Sequence, residues 1–271
     1  MISSTANAQI KNIIQLQTKA KARNKQNCFV IEGIRMFMEV PQNRLVKTYV
    51  ETEFFEHADE TVKKQICSSE YELVEKEVFK RISDTMTPQG ILAIVQKKEC
   101  TMEELVLSVT KSSDNQTDFG AGRYLILEDI QDPGNLGTIL RTAEGAGVTA
   151  VIMSAKTVDI YNPKVVRSTM GSIFRVPFVY ADNLEQVVTQ LKKDGVTVYA
   201  AHLSGEKHYF EMDYKKPTAF LIGNEGNGLS DAMTSQADER IRIPMLGKIE
   251  SLNAASAATI LMYEALRQNL E

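Results

Sequence analysis

The 271-residue chain has no tryptophan, only three cysteines and three histidines, and no apolar run long enough to cross a bilayer. Cys28, Cys67 and Cys100 are scattered. They make neither a metal-ligand spacing nor an even-numbered disulfide framework, and they fit a reducing cytoplasm. His57, His202 and His208 are equally dispersed, which argues against a histidine-built metal site, and no metal is expected. The first residues lack the apolar stretch and cleavage site of a secretory signal. With 43% hydrophobic and 24% charged residues, the composition excludes disorder and collagen-like repeats. Positive charge is not in excess either, because the net charge is −4. That excludes a general polyanion binder, but the balance is uneven. Residues 1–27 carry Lys11, Lys19, Lys21, Arg23 and Lys25 and no acid, which makes a local basic arm for nucleic acid or a solvated, frayed terminus. Charge alone favours the second.

Familiar nucleotide signatures are missing. Gly223-x-x-Gly226-x-Gly228 is glycine-rich but differs from the dinucleotide fingerprint and follows a late strand. No glycine cluster precedes a phosphate-binding lysine, and no nucleophile elbow occurs. Nicotinamide, nucleoside triphosphate and α/β-hydrolase chemistry are therefore disfavoured.

The sequence does show two α/β lobes. Residues 28–98 read as a strand through Gly33 into a helix, a strand at 47–51, a helix over 71–84 and a closing strand at 91–96. With the arm 1–27 they form a first domain, 1–98. Residues 99–120 drift into a polar Ser/Asp/Asn/Thr/Gly stretch and read as a linker. From 121 to 271, apolar strands at 124–130, 149–154, 197–202, 218–223 and 240–245 alternate with helical patterns. This predicts a parallel sheet covered on both faces, with ligands beyond the carboxyl ends of its strands.

Three loops at those strand ends stand out: Gln131–Gly137, Asn224–Ser230 and Leu246–Asn253. Each is rich in glycine, small amides and hydroxyls. Glycine lets backbone approach a ligand, and Asn and Ser both donate and accept. Each loop is also compatible with an ordinary turn and helix cap, with Asp132-Pro133-Gly134-Asn135 opening one helix and Ser251 capping the last.

Asp132-Pro133-Gly134-Asn135-Leu136-Gly137 with Arg141 resembles motif 1 of the SpoU (TrmH) family of RNA ribose 2′-O-methyltransferases. Gly223–Ser230 resembles motif 2. Ile243–Gly247 with Ser251–Ala258 resembles motif 3, and Tyr161–Gly171 is similar to a further family segment. Thr169 stands where a serine is common, and Ala254 where a valine is common. Phe29–Gly33 and Ser83–Gly90 resemble the substrate-binding domain that precedes many such catalytic domains. The resemblance implies a SPOUT-type parallel sheet with a deep trefoil knot, preceded by a small ribosomal-protein-like α/β domain. It also implies a homodimer that takes S-adenosyl-L-methionine, has no membrane association and acts on RNA.

By the same resemblance, Asn135, Arg141, Glu225, Ser251 and Asn253 are the expected catalytic residues. Gly223, Ile243, Met245, Leu246 and Leu252 are expected around the methyl donor. Lys19, Lys21, Arg23 and Lys25 are the candidate RNA contacts. Arg141 follows Asn135 by six residues, about one and two-thirds turns of helix, so both could reach one substrate. A guanidinium suits a phosphate but is always protonated, so proton abstraction would need a phosphate oxygen or water. Taken without the motif, Arg141 is a surface helix charge. Glu225 orients Arg141 or caps the following helix. Leu252, Ala255, Thr259, Met262 and Leu266 recur at helical spacing, as a core seam or a partner-facing one. The expected reaction is methyl transfer to a ribose 2′-hydroxyl of ribosomal RNA, 23S above all. Transfer RNA, an antibiotic-resistance target and a non-catalytic RNA-binding or ribosome-assembly role are the alternatives.

Overall fold

The computed structural model describes residues 1–98, 100, 101, 104 and 122–270, so the linker expected over 99–120 lies almost wholly outside the described residues. The chain forms two compact units. One is Met1–Lys98 with Asp159–Phe174; the other is Glu99–Val158 with Arg175–Glu271.

In the first unit, Cys28–Glu32 (β1), Leu45–Glu51 (β2), Tyr71–Val74 (β3) and Ile91–Gln96 (β4) form a sheet in the order β1-β4-β2-β3. Tyr71–Val74, expected within a helix, is a strand pairing parallel to β2, and the helix begins only at Lys76. The helical spacing of Val74, Val78, Phe79 and Ile82 is real, but the backbone of the first four residues takes its partners from β2. The N-terminal arm is not frayed. Ile2 pairs with β3, and helices Ala8–Thr18 and Ala20–Gln26 follow. Asn7 caps the first of them, and Ile10, Ile13 and Leu16 reach the core beside Val30, Tyr49 and Phe79. Helices Thr52–His57 and Glu60–Cys67 were not expected from the sequence.

The second unit is a seven-stranded sheet. Its strands are Arg123–Leu127 (β5), Ala150–Ser154 (β6), Phe178–Ala181 (β7), Thr197–Ala201 (β8), Lys207–His208 (β9), Thr218–Ile222 (β10) and Glu239–Arg242 (β11). The order is β7-β6-β5-β10-β8-β11-β9 and every pairing is parallel. β5 and β10 are buried along their whole length, as a sheet covered on both faces requires. Tyr124, Ile126, Ala219 and Leu221 meet helices Leu184–Lys193 and Asp231–Gln236 on one face. The intervening residues point to the other face. Helix Ala254–Leu270 packs against helix Pro133–Gly145 and β10. Its buried seam is Ala254, Ala258, Leu261, Ala265 and Gln268, flanked by Ala255 and Met262. Leu252, Thr259 and Leu266 are only half-buried, so the seam is rotated from the expected one. Alanines on the inner line let the helix approach closely. Gln268 fastens it by accepting from Tyr214 N–H (2.9 Å) and donating to Met212 C=O (3.0 Å).

The crossover segment Asp159–Phe174 belongs to the first unit, where Phe29 lies on Tyr161 and Phe174 (ring centroids 4.7 and 6.3 Å). Arg23 is only 4% exposed. Its guanidinium donates to Asp159 Oδ2 (2.9 and 2.6 Å) and to the carbonyls of Leu16 (2.8 Å) and Gln17 (3.2 Å). With its donors turned inward, Arg23 leaves the expected RNA-contacting set. Lys19, Lys21 and Lys25 remain exposed. Arg23→Ala is expected to cost about 2 kcal/mol in a urea unfolding experiment, because it strands Asp159 and two carbonyls. The salt dependence of RNA binding should not change.

Candidate active site

β5 and β10 are neighbours in the middle of the sheet. From β5 the chain winds to β6 and β7 on one side, while β8, β11 and β9 lie on the other. This reversal makes the carboxyl ends of β5 and β10 the switch point where an open parallel sheet receives ligands. The loops after these two strands, and the residues before the last helix, meet there.

Asp132 caps helix Pro133–Gly145 by accepting the Asn135 N–H (2.9 Å), and Pro133 takes the first helical position. The turn before it contains Asp129 in the left-handed region, at φ 56°. After β10, Asn224 and Gly228 exchange both backbone hydrogen bonds (3.0 and 2.9 Å). A side chain at Gly223 would put its Cβ 2.1 Å from the Gly228 carbonyl carbon, so this loop requires glycine. Asn224 Oδ1 accepts from the N–H groups of Gly226 (2.9 Å) and Asn227 (3.1 Å), and its Nδ2 donates to Asp129 C=O (2.8 Å).

The tight fold of that loop presents Glu225 to the turn after β5. Its carboxylate accepts the N–H groups of Gln131 and Asp132 (3.0 Å each) and Nδ2 of Asn135 (2.9 Å). Asn135, 9% exposed, accepts in turn at Oδ1 from Nδ2 of Asn253 (2.8 Å). Asn253 Oδ1 accepts from Ala255 N–H (2.9 Å) and Ser256 N–H (3.3 Å), capping the last helix. Asn253 therefore caps that helix, and Ser251 does not. Because a carboxylate only accepts, both amide orientations follow along the relay. Burial resists the charge on Glu225. The Asn135 amide and the backbone N–H groups of Gln131, Glu225 and Asp132 outweigh it, holding the carboxyl below its ordinary range.

Three expected catalytic residues, Asn135, Glu225 and Asn253, thus form one hydrogen-bonded line. Arg141 is exposed on the Asn135 helix, and its side chain makes no hydrogen bond or ion pair among the described residues. Ser251 is exposed and likewise unbonded. Among the expected donor-binding residues, Gly223 closes the second loop, Ile243, Met245 and Leu252 are half-buried, and Leu246 stands fully in solvent. A fourth loop, His202–Gly205, was missed. It follows β8, the strand between β10 and β11. Gly205 lies so close to the Ile241–Arg242 backbone that a Cβ would fall 2.7 Å from the Ile241 carbonyl carbon. His202 Nδ1 accepts from Ser204 N–H (3.1 Å) and also meets its hydroxyl (2.7 Å). A glycine just beyond an apolar strand was the available signal. Among the described residues no group of acids, cysteines and histidines could hold a metal ion.

Glu225→Gln gives a signed expectation. A depressed carboxyl stabilises the fold above its unfolded-state pKa, and that stabilisation is lost as pH falls through the folded value. In thermal melts the variant should be less stable than the parent at neutral pH, and the gap should close in acid. A gap independent of pH would contradict the assigned hydrogen bonding.

Residues 122–263 match the SpoU rRNA Methylase family, and residues 7–93 match the MRM3-like substrate binding domain. The chain is 34% identical over 268 residues to the Bacillus subtilis 23S rRNA (guanosine(2553)-2′-O)-methyltransferase RlmP, covering 97% of each chain. An AdoMet-bound rRNA methyltransferase from Sinorhizobium meliloti is 30% identical, with a TM-score of 0.84 covering 100% of this chain and 98% of that one. A crystal structure of an RNA 2′-O ribose methyltransferase is 31% identical, with a TM-score of 0.80 covering 100% of this chain and 99% of that one. Half of the chain carrying the switch-point site and its near-complete overlap with these relatives lead to one conclusion: the chain belongs to the SpoU rRNA methylase family.

Proposed function

We propose that this protein transfers the methyl group of S-adenosyl-L-methionine to a ribose 2′-hydroxyl of ribosomal RNA, acting in the cytoplasm as a homodimer. The Glu225–Asn135–Asn253 relay carries the reading, because it joins three loops at the switch point into one oriented set of donors.

The methyl donor fits the residues present. Ile243–Leu252 make no hydrogen bond among the described residues, which leaves a run of backbone N–H and C=O groups for a ligand. Leu246 and Ile249, 102% and 61% exposed, offer apolar surface beside them. Ile243, Met245, Leu246 and Leu252 would hold the donor, with Gly223 keeping the neighbouring loop closed. The bound donor supplies a methyl on a sulfonium sulfur, electrophilic enough to need no metal. Exposed Leu203, Phe210 and Tyr263 in the same unit provide surface for a second copy. The trefoil knot implied by the family resemblance is part of the same proposal.

The relay's role is to orient and donate. Asn135 and Asn253 each keep one amide hydrogen for a substrate oxygen. Glu225 already accepts three hydrogen bonds, so it is a poor destination for the hydroxyl proton. No histidine lies in the three motif loops. We therefore assign Arg141 to the target phosphate, where its charge favours passing the proton to a phosphate oxygen or to water. Ser251 is placed as a hydrogen-bonding partner of the ribose or phosphate. Most of the rate gain then comes from positioning.

On the first unit, Lys19, Lys21 and Lys25 are proposed to neutralise RNA phosphates. Changing all three to alanine is expected to flatten the slope of log affinity against log salt by about 2, at roughly 0.7 per phosphate contact, while calorimetric AdoMet binding persists. Loss of both together would assign these lysines to folding. For the reaction itself, purified protein should move label from AdoMet to ribosomal RNA, and a deletion strain should lack one ribose methylation present in its parent. Intact methylation in the deletion strain would refute the proposed function.

A further inference from the structure

Glu128 directly follows β5 at the start of the catalytic turn, and the mechanism above gives it no part. Both of its oxygens are spent on one residue. Oε2 accepts Ser230 N–H (2.8 Å) and Oε1 accepts the Ser230 hydroxyl (2.7 Å). The Glu128 N–H donates to Ile222 C=O (2.9 Å), and Ser230 Oγ also accepts Met233 N–H (3.1 Å) at the start of helix Asp231–Gln236. Hydrogen bonds to an ionised acceptor are the stronger kind.

The loop 224–230 is thus pinned at both ends to the turn it faces. Asn224 Nδ2 holds Asp129 C=O at one end, and Glu128 holds Ser230 at the other. Between the pins the loop is folded on itself by the Asn224–Gly228 backbone pair and the Asn224 side chain, which leaves it little slack. Glu225 lies one residue beyond the first pin. The sheet does not need the second pin, because β5 and β10 pair residue for residue from Arg123/Thr218 to Leu127/Ile222 over a buried core. Ser230 itself is exposed.

The geometry points to Glu128 as a positioning residue for the proposed methyl transfer: by clamping Ser230 it sets where the loop presents the Glu225 carboxylate to Asn135. Displacement of a reacting constellation by about an ångström can cost a hundredfold in rate with little effect on folding. The inference rests on the reaction proposed above.

The test is steady-state methyl transfer from labelled AdoMet to ribosomal RNA by the full chain and its Glu128→Ala, Glu128→Gln and Ser230→Ala variants and the alanine double variant. Amide hydrogen exchange is measured on the same proteins without substrate. Glu128→Ala should lower kcat by about ten- to a hundredfold, leaving KM for RNA unchanged. Glutamine should restore most of the rate, since it keeps an acceptor for the N–H and offers a donor to the hydroxyl. Ser230→Ala keeps the backbone N–H on Glu128 and removes only the hydroxyl, so it should lower kcat by less than Glu128→Ala, and the double variant should be no worse than Glu128→Ala. A folded Glu128→Ala or Ser230→Ala protein with the parent's kcat overturns the assignment, as does a rise in KM alone or single losses that multiply in the double variant. If Glu128→Ala does not fold, Ser230→Ala and Glu128→Gln carry the test. If the parent protein transfers no methyl group, the functional reading fails separately. Exchange then decides the clamp: faster exchange at Gln131 and Asp132 in Ser230→Ala supports it, and unchanged exchange overturns it.

Discussion

The Glu225 carboxylate is the constraint on which the site depends. Three N–H groups from the turn after β5 and the helix that follows it converge on a side chain delivered by the loop after β10. Two are backbone N–H groups just ahead of the helix and the third is a side-chain amide in its first turn. The acid satisfies them and ties the two strand ends together. Asn135 passes the connection on, and Asn253 ends it on the N-terminus of the last helix. The carboxylate at one end and the backbone N–H donors of the last helix at the other impose the same orientation on both amides. The ionised form is favoured because donors outnumber what burial takes away.

This arrangement explains why the loops carry such plain residues. The loop after β10 must turn so sharply that Gly223 tolerates no Cβ, and Asn224 serves three partners with one short side chain. Among the described residues, the side chains of Arg141 and Ser251 and the backbone of Ile243–Leu252 make no internal hydrogen bond. Rigid donors beside unspent groups are what a site needs when position rather than a strong base supplies the rate.

Much of this was legible in the sequence. The buried strands β5, β6, β8 and β10 announced themselves as short apolar runs, and glycine, Asn and Asp beyond them marked the ligand-facing ends. β7 and β9 were not legible: one is four residues behind Pro177, the other two residues long. β3 was hidden by a helical spacing that runs across the strand into the next helix. Arg23 was misread because its ionic partner lies 136 residues away, and no local pattern reveals such a pairing. The assignment of Asp159–Phe174 to the first unit was equally invisible, since a crossover between parallel strands is expected to cover its own sheet. The cap of the last helix fell to Asn253 rather than Ser251, because the helix begins at Ala254 and the Asn253 side-chain oxygen accepts its first N–H groups.

The central claim is that Glu225, Asn135 and Asn253 act as one oriented unit although Glu225 and Asn253 are joined only through Asn135. A double-mutant cycle on kcat/KM for methyl transfer, with Glu225→Gln and Asn253→Ala singly and together, measures this directly. The account requires strong coupling: once one end of the relay is lost, losing the other should cost little more. Two losses that simply multiply would show the ends working independently and would contradict it.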